Sequence, residues 1–152
     1  MGRSLDYVMS DHFNLNRFLR AQEGIFDVAL SEVSKGRKRS HWMWFVLPQL
    51  RGLGTSEMAH LYGLTSLDEA RAYLLHPILG ERLKAIVQAL QDLEATSAVE
   101  VLGPVDAIKL RSSLTLFSEA DGGPLFQAAL NRWFAGGPDL ASLKIISSGS
   151  AR

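Results

Sequence analysis

Apolar side chains return every three or four positions along most of this chain, the spacing that lays one continuous face along an α-helix. Leu15, Phe18, Leu19, Phe26, Ala29, Leu30 and Val33 follow it, with Asn14 placed to cap the start, Gly24 to divide the run and Gly36 to end it in a left-handed turn. A shorter run goes from Ser56 through Met58, Leu61 and Tyr62 to Gly63. Ser66-Leu67-Asp68-Glu69 is a capping box, a serine and a glutamate three residues apart that satisfy free N–H groups at a helix start; its helix should stop near His76-Pro77. From Pro77 the stripe Ile78, Leu79, Leu83, Ile86, Val87, Leu90 and Leu93 predicts the longest clear helix, with Glu81, Arg82, Lys84, Gln88, Gln91 and Asp92 largely on the other side. Ser97 to Glu100 is a second capping box, ended by Gly103-Pro104. Pro104 and Pro124 suit a first helical position and open helices carrying Ala107, Leu110, Leu114 and Phe117, then Phe126, Ala129, Leu130 and Trp133. "PDLASLKII" closes with a short apolar element.

One segment breaks the period. His41 to Leu47, "HWMWFVL", is apolar on nearly every face, and by propensity it could be a buried strand. No second strand-like run offers a partner, so the pattern favours a buried helical turn capped by Ser40 and stopped near Pro48. With short turns, no linker and no internal repeat, the predicted fold is all-α. It is a single-domain multi-helix bundle of about seven short to medium helices over residues 11–146, with flexible termini at 1–10 and 147–152.

Composition narrows the class without naming a function. The chain has 152 residues, enough to bury a core without disulfides or metal. Its 16 basic and 16 acidic side chains balance, which makes nucleic acid an unfavoured partner. The absence of cysteine excludes a disulfide scaffold, a thiol nucleophile and a Cys-based zinc site. No apolar run is long enough to span a membrane and the first residues lack a signal-peptide core, so a cytoplasmic location is expected. No cofactor or metal is called for, since His12, His41, His60 and His76 are not spaced as ligands on one helix.

Four stretches occur in a distinctive order: "RFLRAQ", "GRKRSHWMWFVLPQLRGLG", "HPILGERL" and "KLRSSLTLF". Together they resemble a widespread bacterial family known only as domain of unknown function 1810. The resemblance runs from about Asp11 to Ile146 and implies a small all-helical domain, in agreement with the periodicity. Leu47 and Leu114 depart from it mildly, standing where Phe and Met are expected. It carries no activity with it. Some members bear a calpastatin label, but nothing in this chain resembles the disordered repeats of a calpain inhibitor.

The polar residues of these motifs are the candidates for chemistry. Arg37, Lys38 and Arg39 could meet a phosphate or form a solvated basic turn; the family motif keeps a lysine at the step of Lys38. His41, beside Trp42, would be the acid or base if a reaction occurs, and Lys109 the charge stabiliser. Trp42 and Trp44 read mainly as core, with an edge available to a ligand. Gln49 in the Pro48–Gly54 loop and Gln22 on an apolar helix face each need a partner, protein or ligand. Ser112, Ser113 and Thr115 are poor local choices inside a helix; with Lys109 the two serines share one face, suited to an anion or to a neighbour's carbonyls. The expected function is therefore binding of a small anionic or phosphorylated ligand, a nucleotide derivative among the candidates, in one pocket formed by the SHWMW and KLRSS motifs. The competing expectation is a non-catalytic interaction or oligomerisation module.

Overall fold

The computed structural model of the protein describes residues 11–95 and 97–149. Among them lie ten helices and no strand: α1 (Asn16–Gln22), α2 (Phe26–Ser34), α3 (Met43–Val46), α4 (Glu57–Tyr62), α5 (Leu67–Leu75), α6 (Leu79–Gln91), α7 (Ala98–Leu102), α8 (Pro104–Glu119), α9 (Pro124–Phe134) and α10 (Leu140–Ser147). The all-α expectation holds, but the count exceeds about seven because single turns such as α3 and α7 stand as separate elements. Residues 1–10 and 150–152 of the expected flexible termini lie outside the described residues, whereas Ser147 ends α10.

Local signals explain most boundaries. Gly24 at φ +71° separates α1 from α2, and the hydroxyls of Ser56, Ser66 and Ser97 each accept the N–H three residues on. Asn14 does not cap α1. It takes a left-handed φ of 54°, and Asp11 does the capping instead, its carboxylate accepting from Leu15 N (2.6 Å) and Asn16 N (3.2 Å). Nor does Pro77 start α6, because His76 Nδ1 accepts from Ile78 and Leu79 N–H at 3.1 and 3.2 Å and so sets the first turn two residues later. Among the described residues the longest helix is α8, at 16 residues against 13 for α6. Ser112 and Thr115 are tolerated within α8 by donating back to Ile108 O (3.2 Å) and Arg111 O (2.8 Å).

Helix α8 is the centre of the bundle, packed against α5, α7, α9 and α10, while α6 lies against α2, α5 and α9. The close α5–α6 corner needs Gly80, where a Cβ would stand 2.1 Å from Leu74 O. An aromatic spine crosses the core: Phe18 meets Tyr73 edge-on at 5.1 Å, Tyr73 meets Phe117 at 5.5 Å and Phe117 meets Phe126 at 5.8 Å. Helix α3, the "HWMWFVL" segment, is the buried turn expected, with Trp42, Met43, Phe45, Val46 and Leu47 all in the core. Ser40 does not cap it; its hydroxyl donates elsewhere. Leu50 and Leu64 form an isolated parallel bridge, which fixes the Pro48–Gly54 loop against the start of α5.

Candidate functional site

The loop from α2 to α3 is held by a residue the sequence did not single out. Glu32 Oε1 accepts from Arg39 N (2.8 Å), Ser40 N (2.9 Å) and Trp42 Nε1 (2.9 Å), and Oε2 accepts from Ser40 Oγ (2.5 Å). Burial works against the charged carboxylate, but these four hydrogen bonds win and hold its pKa down to about 2, from an ordinary 4.5. Lys38 N donates to Val101 O at 2.8 Å, tying the same loop to α7. Between these anchors burial alternates along the chain. Arg37 and Arg39 are exposed, and Lys38 turns inward with 9% of its side chain accessible.

The inward lysine meets α8. Lys38 Nζ lies 2.9 Å from Asp106 Oδ2, and Lys109 Nζ lies 3.4 Å from Asp106 Oδ1. Each ammonium also sits over an indole: Lys38 is 5.2 Å from the Trp42 ring centre and Lys109 3.4 Å from that of Trp44. Ser113, one helical turn beyond Lys109, is fully buried, and its hydroxyl has no hydrogen-bond partner among the described residues. Four expected site residues, Lys38, Trp42, Trp44 and Lys109, are thus brought together around a carboxylate that was not expected. Asp106 was legible three residues before Lys109 on one helix face.

The model of a family described as "Protein of unknown function (DUF1810)" matches residues 12–146. The chain belongs to that family. A crystal structure of the conserved hypothetical protein Rv1873 from Mycobacterium tuberculosis is 44% identical and superposes with a TM-score of 0.87, covering 89% of this chain and 97% of that one. No curated protein matches the chain.

Among the described residues, no hydrogen bond or ion pair joins the remaining expected residues to Lys38, Lys109 or Asp106. In this DUF1810 chain His41 is exposed, and among the described residues no carboxylate or hydroxyl hydrogen-bonds it, so the local contacts do not make it an acid–base pair. Gln49 serves through its backbone, accepting from Leu64 N at 2.9 Å. Ser112 is occupied by its own helix. Gln22 is buried in a separate network: its amide nitrogen donates to Phe45 O (2.7 Å) and Tyr73 Oη (3.1 Å), and its oxygen accepts from Arg82 (3.1 Å). There burial pushes the Tyr73 phenol well up, against the Gln22 hydrogen bond and the Arg82 and Arg17 charges. Burial lowers His76, with the Arg82 charge adding to the effect.

A second polar feature escaped the sequence reading. Arg17 bonds Glu69 Oε2 at 2.9 Å and also donates to the carbonyls of Leu61, Gly63, Phe13 and Asn14. Glu69 Oε1 accepts from Thr65 N and Oγ1, both at 2.9 Å, so the Ser66 capping box is reciprocated one residue early. Among the described residues no group of three or more His, Cys, Asp or Glu could hold a metal, and no helix is long and apolar enough to cross a membrane.

Proposed function

We propose that the protein is cytosolic and binds a small anionic or phosphorylated ligand at the Lys38–Lys109 cluster, a nucleotide derivative being one fitting class. The observation that carries this reading is a charge imbalance. Two ammonium groups, with side chains 9% and 15% accessible, share one carboxylate that is itself 17% accessible. A desolvated charge needs a partner, and two cations on one anion leave about one positive charge unmatched, which the indole faces offset only in part. An entering anion would complete the balance, with Ser113 a nearby unpartnered hydroxyl and the partly exposed Trp44 a flat surface for a ring.

Calorimetry and thermal shift against a panel of phosphates and nucleotides test this. A native-state ligand at 100 times its Kd adds roughly 2.7 kcal/mol to stability. Lys38→Ala and Lys109→Ala should each abolish the shift. Asp106→Asn should tighten binding, because it removes the competing carboxylate while keeping its shape. If binding survives both lysine changes, the site is wrong. The second reading, an association module, is favoured by exposed Val105 and Ile108 on one face of α8 beside exposed Val99 of α7. A mass that rises with concentration and falls on Ile108→Lys would support it.

A further inference from the structure

The side of the 37–39 segment that faces away from Lys38 borders an open cleft of about 600 Å³, within the ordinary range of roughly 300–1,000 Å³ for small-molecule sites. Its floor is a ridge of α2. Asp27, Ser31 and Lys35 are four apart and so stand in line along the helix, with Val28 beside them. Arg37 and Arg39 form the wall at the Lys35 end. Asp27 and Lys35 are eight residues apart, which at 1.5 Å per residue is about 12 Å.

The cleft is polarised along that length. Among the described residues no carboxylate pairs with Lys35, Arg37 or Arg39, so three cations stand unmatched at one end. Glu32 also lines the cleft and keeps its negative charge, but its two oxygens are engaged by four neutral donors of the loop and pair with no cation, so the Lys35, Arg37 and Arg39 end stays net positive. Asp27 at the far end is exposed, and no hydrogen bond or ion pair occupies it among the described residues. Guanidinium groups hold phosphate oxygens through paired N–H donors, and a free carboxylate accepts from hydroxyls. Val28, exposed between the two ends, offers a small apolar surface to the ligand's carbon skeleton.

We infer that this outer cleft is a second ligand site, distinct from the lysine cluster, which takes a hydroxylated phosphomonoester of sugar-phosphate type. The phosphate sits against Arg37, Arg39 and Lys35, and the hydroxyls lie along α2 toward Asp27. The inner and outer sites share the 37–39 segment but no side chain, so substitutions separate them.

The test titrates the full chain calorimetrically with pentose and hexose monophosphates, inorganic phosphate and the parent sugars. The expected result is saturable binding of at least one sugar phosphate, at least about tenfold tighter than inorganic phosphate, and no binding of the unphosphorylated sugar. Arg37→Ala with Arg39→Ala should weaken binding at least about tenfold at an unchanged melting temperature, since both side chains are exposed. Asp27→Ala should erase the preference over inorganic phosphate, while Lys84→Ala, a charge removed elsewhere on the surface, should change nothing. No saturation by any sugar phosphate up to about 10 mM overturns the inference. So does binding that is indifferent to the double arginine change, or that is lost only in Lys109→Gln, which would place the ligand at the inner cluster instead.

Discussion

Replacing Glu32 by Gln isolates the charge that organises the α2–α3 loop. The amide keeps one oxygen for the Arg39, Ser40 and Trp42 N–H donors and turns its nitrogen to the Ser40 hydroxyl, so the shape survives and only the charge is lost. The drop in pKa from 4.5 to about 2, at ~1.4 kcal/mol per pH unit, sets an upper bound of roughly 3.5 kcal/mol. The carboxylate is partly open to solvent, and screening reduces this to about 1–2 kcal/mol. The sign follows from the folded pKa lying below the unfolded one. The charged carboxylate stabilises the fold fully above about pH 4.5, and the contribution disappears as pH falls toward 2. Urea denaturation of both proteins from pH 7 to pH 2 should therefore show the wild type ahead by about 1–2 kcal/mol at neutral pH and the curves converging in acid. A gap that stays constant with pH would refute the assignment of that energy to the Glu32 charge.

Arg17→Met strands Glu69, whose side chain is only 2% accessible, and should lower stability by about 3–5 kcal/mol; adding Glu69→Gln should return part of the loss in a double-mutant cycle. Additive losses would show that the two residues act independently. Ser113→Ala removes a buried hydroxyl that has no partner, so chemical denaturation should find it neutral or stabilising by up to about 1 kcal/mol. A loss above about 1 kcal/mol would mean that the hydroxyl is satisfied in solution.

The parts of the fold that could be read ahead are those governed by neighbours in sequence. Helical spacing located the elements, and Ser56, Ser66 and Ser97 marked three starts because a cap and the N–H it accepts from lie three residues apart. Gln22 was legible as a residue needing a partner, yet the choice of Phe45, Tyr73 and Arg82 depends on where three other elements pack. Glu32 was missed for a different reason. A carboxylate on a helix ordinarily reads as a solvated face, and its donors here are mostly backbone and indole N–H groups, which carry no sequence signature. Asp106 shows both cases at once: its link to Lys109 follows from i,i+3 spacing, and its link to Lys38 required α7 and α8 to close on the loop.

The alternation of Arg37, Lys38 and Arg39 bears on how this sequence can vary. Surface loops generally accept insertions and deletions. Here the stretch between Gly36 and Ser40 is pinned by Lys38 N on Val101 O and by the Arg39 and Ser40 amides on Glu32. Adding or removing one residue would exchange the inward and outward positions, burying an arginine beside Asp106 and sending the lysine to the surface. The fold itself therefore tolerates substitution at Arg37 and Arg39, whose side chains are exposed, but not a change of length, and relatives that share this bundle should keep the spacing from Gly36 to Ser40.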